Sequence, residues 1–333
     1  MPENKILLSI IIVSYNTCEL TLQAVHSCRK QIKNTKKLQE KTEIFVVDNN
    51  STDETISQLK KIKADKTKLK IIQNKDNKGF AAANNQAIEQ SKGEYILLLN
   101  SDTELKPKAL LNLLNSFAQY QGQESTAQLS SHEGKLDKPG IIAATLLNKD
   151  GSIQPQGGSF PNLFNLAIHM WFLDDLPTIG KLLPSTQHTG KRFNLKKILK
   201  HQEPYQQDWV GGTAMMIKRK MLEEIGDLDS NIFMYGEDVE YCLRAKKHHW
   251  DVAIDPQAQV THFGSASSSS KNALLGEIKG YLYIWAKHKP AWQTPFLKFI
   301  LLTGCWLRII IFSFFPSHKE KVSIYKKALT LIS

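Results

Sequence analysis

Four short apolar runs occupy the first 100 residues: Leu8–Val13, Glu43–Val47, Leu69–Ile72 and Tyr95–Leu99. Each is followed at once by short polar residues. These are Ser14-Tyr15-Asn16, then Asp48 to Asp53, then Asn74 to Gly79, then Asn100-Ser101-Asp102. Between the runs the spacing turns helical. Leu20, Ala24, Val25, Cys28 and Ile32 share one face, as do Ile56, Leu59 and Ile62 behind a capping Asp53. Phe80–Ile88 is a small-residue helix, and Pro107 opens another that runs to about Phe117. Strands apolar throughout, separated by helices, predict a mostly parallel sheet covered on both faces, a Rossmann-like α/β half.

Beyond residue 120 the pattern loosens. Residues 121–139 read as a polar loop, Ile141–Leu147 as a strand, and Asn148-Lys149-Asp150-Gly151 as a turn into the Gly/Pro-rich Gln154–Pro161. Residues 162–207 read as an acceptor-facing insertion. Asp208–Lys218 is expected as a strand, Lys220–Ile225 and Val239–Lys247 as helices, Val252–Ile254 and Gln259–Thr261 as short strands. Ser265–Ser270 reads as a hinge, with a mostly helical tail from Lys271. Phe296–Phe315 in that tail is dominated by Leu, Ile, Phe and Trp. At ~1.5 Å per residue it is just long enough to cross a ~30 Å hydrocarbon core. Lys298 and Arg308 lie inside it, and a central Arg costs roughly 2.5–3.5 kcal/mol on insertion, so an interfacial helix is expected ahead of a spanning one.

Charge narrows the partners. The 333 residues carry 43 Lys+Arg against 32 Asp+Glu, a net charge of +11, which suits nucleic acid, anionic lipid or a phosphorylated small molecule. Only five of those basic residues are Arg, and no basic-aromatic interleaving is present, so no nucleic-acid partner is expected. Cys18, Cys28, Cys242 and Cys305 form no C-x-x-C pair, which points away from zinc and towards a reducing cytosol. The apolar run at the N-terminus ends in polar residues after Val13 and reads as a buried strand rather than a signal peptide.

In open parallel sheets, ligands bind beyond the carboxyl ends of the strands, where this chain places Asp48 and Asp102. Asn, Asp and Ser are also ordinary turn and cap residues, which is the competing account of Asn50 and Asp53. Neither G-x-x-x-x-G-K-[ST] nor G-x-G-x-x-G is present, so Asp102 is expected to hold Mg2+ or Mn2+, and the metal a diphosphate. Further on, Gly211 and Gly212 allow close backbone approach, or a bulge. Glu237, Asp238 and Glu240 cluster at a helix start, where the dipole favours acids in any case, and a carboxylate there can also act as a general base. His262 follows a strand, as a structural histidine or a further metal ligand.

Taken in order, Ile11–Asn16, Val46–Asp53, Asn77–Asn85, Leu97–Leu105, Asp150–Pro161, Val210–Met216, Phe233–Arg244 and His262–Ser265 resemble glycosyltransferase family 2, within the bacterial rhamnosyltransferase-like branch of GT-A fold. The likeness covers roughly residues 7–265. It implies a GT-A domain over 1–265, with a nucleotide-sugar half to about 120 and an acceptor half from about 140. A helical, membrane-associating region follows over 266–333. It also implies inverting transfer from a nucleotide-diphospho-sugar, with TDP-rhamnose the first candidate donor, to a lipid-linked or cell-envelope glycan. By analogy, Ser14, Tyr15, Asn16 and Asp48 line the nucleotide pocket, and Asn77, Gly79 and Asn84 shape the ribose and diphosphate region. Asn100-Ser101-Asp102 takes the place of the family's D-x-D element, with Asn at its first acidic position, which leaves Asp102 as the metal ligand and His262 as its companion. Asp238 matches the catalytic base, Glu237 and Glu240 are expected to raise its pKa by repulsion, and Gly211 and Gly212 lie by the acceptor.

Two rival readings remain. A sugar nucleotidyltransferase carries a Gly-rich basic loop after its first strand, and the segment Ser14–Leu20 has neither feature. A non-catalytic nucleotide-sugar-binding protein needs no base, yet both Asp102 and Asp238 are present. The basic tail flanking the apolar stretch suggests the anionic cytoplasmic side of the inner membrane, at ~1 kcal/mol per Lys near the surface.

Overall fold

The apolar runs become neighbouring strands of one sheet. The computed structural model describes residues 5–63, 67–120, 136–176, 180, 183, 203–264 and 270–332. The expected loop over 121–135, most of the expected insertion beyond residue 176, and the serines at 265–269 lie outside the described residues. Strands β1 (Leu8–Ser14), β2 (Thr42–Asp48), β3 (Lys68–Gln73) and β4 (Tyr95–Asn100) pair in parallel in the order β3-β2-β1-β4. They are apolar at successive positions because both faces are covered. Ile10, Ile12, Ile44 and Val46 face helices α1 (Cys18–Asn34), α2 (Thr55–Lys60) and α4 (Ala109–Gln119). Ile11, Phe45 and Val47 face α3 (Phe80–Gln90), α6 (Arg219–Ile225) and α7 (Glu237–Lys247). Edge strand β3 alternates, with Lys68 and Lys70 exposed, as an unpaired edge requires.

The second half departs from a purely parallel sheet. The sheet continues β4-β9-β6-β10-β5, and β9 (Ala214–Lys218) runs antiparallel to both β4 and β6 (Pro139–Leu147). A fully buried strand has no polar alternation in either direction, so its sequence could not show which way it runs. Of the strand expected over Asp208–Lys218, only 214–218 forms; Trp209 makes a single bridge to Gly158. The two short strands expected near residue 255 are one, β10 (Asp251–His262), whose pairing with β6 slips between Asp255 and Gln259. Pro256 sits in that irregularity, where it need not donate to the ladder. Short β5 (Thr103–Leu105) then closes antiparallel on the end of β10. Two local starts also differ. The helix expected at Pro107 begins at Ala109, behind Lys108 at φ 67°. Asp53 stands one place before the N-cap of α2, and its carboxylate accepts from Thr55 N (3.0 Å) and from Cys18 N (2.9 Å) at the start of α1.

The tail forms a third packing layer. Helices α5 (Leu163–Met170), α8 (Ser270–His288), α9 (Thr294–Ser313) and α10 (Lys319–Ile332) share a core with Leu166, Trp285, Leu301 and Ala328 buried in it. Helix α7 is held between layers: Tyr241, Cys242 and Ala245 face the sheet, while Val239 and Leu243 pack against the tail.

Candidate active site

The polar strand ends converge along the carboxyl edge of the sheet. At β1 and β2, Ser14 stands in register with Asp48. The buried Ser14 hydroxyl bonds Thr21 Oγ1 (2.7 Å) and Thr17 Oγ1 (3.3 Å), and Thr17 in turn donates to Ser101 Oγ (3.0 Å). A chain of hydroxyls therefore ties the end of β1 to the Asn100-Ser101-Asp102 turn. Asn16, at φ 53°, accepts from Thr52 N (2.7 Å) and locks the first two strand-end loops together, and Tyr15 beside it is exposed. Asp48 is fully buried; one carboxylate oxygen accepts from Ser51 N (3.1 Å) and the other has no hydrogen-bond partner.

Asn77, Gly79 and Asn84 act within the scaffold around this edge. Asn77 Oδ1 accepts from Asn49 Nδ2 (2.8 Å) and Gly79 N (3.0 Å), and Asn84 donates back to Phe80 O (2.9 Å) inside α3. Gly79 has φ 82°, and a Cβ there would come within 2.3 Å of Phe233 O. Phe80 N donates to that same carbonyl (2.8 Å). The loop after β3 is thus clasped to the loop that carries Glu237 and Asp238.

The acidic turn and the histidine meet as expected. Asp102 is buried, its carbonyl accepts from Phe263 N (2.9 Å), and its Oδ1 lies 3.3 Å from His262 Nε2 without a hydrogen bond. On the other side of the ring, His262 Nδ1 contacts Gln154 Oε1 at 2.7 Å. An amide oxygen only accepts, so Nδ1 donates to it, and Nε2 is the ring nitrogen turned towards the carboxylate. A carboxylate oxygen and an imidazole nitrogen so placed suit a shared cation. Among the described residues no third His, Cys, Asp or Glu joins them. A pair fits Mg2+ or Mn2+, which fill their shells with one or two side chains, phosphate oxygens and water.

Asp238 lies in the first turn of α7, behind Tyr235 at φ 71° and Gly236 at φ 108°. Its carboxylate accepts from Val239 N (2.8 Å) and Gly212 N (3.3 Å). A methyl group at Gly211 would stand 3.8 Å from Asp238 Oδ2 and 4.0 Å from Gln156 Oε1. Gly212 passes under the Phe80 ring, where a Cβ would be at 3.1 Å. Asn100 N donates to Thr213 O (2.9 Å), which brings the glycine pair beside the Asp102 turn.

Burial is the first cause of a raised pKa at both Asp238 and Glu237. Repulsion by Asp238 adds to the shift of Glu237. Glu240 takes no part in this, contrary to expectation. It is fully buried and accepts from Arg244 Nε (2.9 Å), Lys287 Nζ (2.8 Å) and His288 Nε2 (3.0 Å), so it is neutralised and structural.

Two residues were not singled out from the sequence, Gln154 and Gln156. Both belong to the Gln154–Pro161 stretch, whose paired glutamines flanking a proline were a legible signal. Gln154 orients His262. Gln156 donates to Ala144 O through Nε2, which leaves Oε1 buried, unpartnered and next to Gly211. Asp48 Oδ1, Asp102 Oδ1, Gln156 Oε1 and Glu237 Oε2 are all buried without a partner. Such atoms are rare in folded proteins, and those of Asp48 and Asp102 stand at the carboxyl edge of the sheet, where a polar ligand would satisfy them.

Known proteins resemble this chain in sequence and in fold. Residues 9–138 match the family model described as Glycosyl transferase family 2. That stretch is a glycosyltransferase family 2 domain. It is 21% identical over 266 residues to the N-acetylglucosaminyl-diphospho-decaprenol L-rhamnosyltransferase of Mycobacterium tuberculosis, covering 76% of this chain and 77% of that one. It is 28% identical over 262 residues to the low-salt glycan biosynthesis hexosyltransferase Agl10 of Haloferax volcanii, covering 76% and 65%. It also matches the uncharacterized protein y4gI of Sinorhizobium fredii, 26% identical over 229 residues, but spans only 21% of that longer chain. Two solved structures share the GT-A fold of this chain. GalNAc-T7 with UDP, GalNAc and Mn2+ has a TM-score of 0.56 at 16% identity, over 99% of this chain and 56% of the other. The mannosyltransferase PcManGT from Pyrobaculum calidifontis, with GDP-Man and Mn2+, has 0.52 at 14%, over 99% and 76%.

Proposed function

We propose that this chain transfers a sugar, with inversion, from a nucleotide-diphospho-sugar to a hydroxyl of a lipid-linked or cell-envelope glycan, with Asp238 as general base. One observation carries the reading. A carboxylate raised in pKa by burial is held by backbone amides over a pair of glycines, next to the turn bearing Asp102. A binding protein has no use for such a base.

The nucleotide lies over the ends of β1 and β2, with Asp48 Oδ1 free to accept from the base and Ser14, Tyr15 and Asn16 around it. Asn77, Gly79 and Asn84 set the loop that borders the ribose and diphosphate, and Ser101 holds the turn. Asp102 and His262 are the residues that would hold Mg2+ or Mn2+; the cation supplies charge neutralisation for the leaving diphosphate when bound. The acceptor hydroxyl approaches over Gly211, where the missing side chain leaves room, beside Gly212, whose side-chain space the Phe80 ring fills. Asp238 takes its proton as the bond to the anomeric carbon forms on the face opposite the diphosphate. The M. tuberculosis relative, named for transfer of rhamnose to a lipid-linked acceptor, supports TDP-rhamnose as the first donor to assay.

The test is Asp238→Asn. It is expected to bind nucleotide-sugar as the parent does and to lose at least ~10²-fold in kcat. Near-normal turnover would remove the base assignment. A panel of nucleotide-sugars scored for metal-dependent hydrolysis identifies the donor. Asp102→Ala is expected to abolish the part of donor binding, measured by calorimetry, that depends on Mn2+.

A further inference from the structure

The exposed face of α9 is built from aromatic and aliphatic side chains. Phe296, Phe299, Trp306, Ile310 and Phe314, just beyond the helix end, are each more than half exposed. At 3.6 residues per turn they fall within an arc of ~80°, over a length of ~27 Å. The opposite face is fully committed to protein. Leu297, Leu301 and Cys305 are buried in the tail core, and Gly304 lies so close to α5 that a Cβ would meet Met170 Cε at 2.6 Å. Arg308 points inward as well. Its guanidinium donates to His169 O (2.9 Å) and Met170 O at the C-terminus of α5, and stacks 4.1 Å from the Phe172 ring centroid. The charge that opposed membrane insertion in the sequence is therefore used within the protein as a helix C-cap.

An inward face of this kind forbids a spanning helix, because crossing would strip Arg308 of its carbonyls or draw α5, α8 and α10 into hydrocarbon. The outward face is just as poorly suited to water. Charge selects what covers it. Residues 271–332 contain ten basic and two acidic side chains, so eight of the chain's eleven net positive charges lie in this region. Lys319, Lys321, Lys326 and Lys327 on α10 are exposed. Two copies facing each other through this stripe would bring like charge together, whereas an anionic bilayer would complement it.

We propose that α9 lies flat in the interface of an anionic bilayer, inserting Phe296, Phe299, Trp306, Ile310 and Phe314, drawn there by the net positive charge of the region. This deepens the reading above by naming the surface on which a lipid-linked acceptor is met. Vesicle binding involves no sugar transfer, so the two ideas fail separately.

The test is sedimentation of the full chain with phosphatidylcholine vesicles, with and without phosphatidylglycerol. Binding is expected to need the anionic lipid, to weaken with salt, and to fall about ten-fold or more in Phe299→Ser/Trp306→Ser. Those side chains are exposed, so an unchanged melting temperature is expected to confirm that the variant folds. Brominated lipids are expected to quench a fluorescence component that Trp306→Phe removes, which decides the question even if the double variant is unstable. Three outcomes overturn the proposal: no binding to anionic vesicles, binding that the stripe variant leaves intact, or retention through alkaline carbonate extraction, which marks a spanning helix. A dimer dissolved by the same substitutions in place of vesicle binding would overturn it in favour of a second copy.

Discussion

Asp238 and Glu237 are adjacent carboxyls with different fates. Burial raises both, and repulsion by Asp238 adds to the rise of Glu237, which is pushed up to about 8. The acid limb of kcat/KM is expected above the ordinary aspartate range of about 3.9, with activity lost as pH falls through it. Glu237→Gln replaces a protonated acid by a neutral amide and is expected to leave that limb in place. Its effect belongs to stability. The folded chain holds the Glu237 proton where the unfolded chain has released it, so wild-type stability falls as pH rises from the usual glutamate pKa to the raised one. Glu237→Gln is therefore expected to melt higher than wild type at alkaline pH and to lose that advantage in acid, which melting curves across pH would show. Gln156 makes a separate prediction. With Nε2 tied to Ala144, its free Oε1 can only receive a hydrogen bond, and a substrate hydroxyl over Gly211 is the available donor. Gln156→Ala is expected to lower kcat/KM by about ten-fold, the worth of one buried hydrogen bond, with little change in melting temperature.

The turn before Asp238 depends on a helix far along the chain. Gly276 and Gly280 of α8 lie against Met234, Tyr235 and Gly236; Cβ atoms would come within 2.7 Å of Met234 O at the first and 2.6 Å of Tyr235 O at the second. Both contacts are with backbone, which cannot swing aside. The same helix ends in Lys287, which pairs with Asp229 (2.5 Å) and Glu240 (2.8 Å) and helps hold the Asp229 carboxyl well below its usual pKa despite partial burial. Gly280→Leu is expected to displace the turn before Asp238 and reduce kcat at least ten-fold, while donor binding at the far β1–β2 end is retained. Comparing kcat with the donor dissociation constant would separate this from general unfolding.

The tail completes the molecule. Val239 and Leu243 of α7 pack against the helical layer, so a chain cut after residue 265 would expose one side of α7 and leave Glu240 without Lys287 and His288. Such a truncation is expected to lower the melting temperature and abolish turnover even on a water-soluble acceptor. Point substitutions on the α9 stripe are expected to spare both, and an assay of the two side by side distinguishes them.

The sheet and the polar edge were legible in the sequence, because apolar runs covered on both faces and turn residues at their ends are local patterns. Asp102 was placed with His262 by the family resemblance, whereas Gly212 was brought to the Asp238 carboxylate only by folding. The direction of β9 was hidden, because a buried strand looks alike both ways. Glu240 looked like a member of the acidic site until Arg244, Lys287 and His288 were found around it, partners up to 48 residues away. Arg308 looked like a charge stranded in an apolar helix until α5 was seen ending against it. A side chain's type is written in the chain, but whether its charge is neutralised, buried or aimed at a ligand depends on residues that only folding brings within reach.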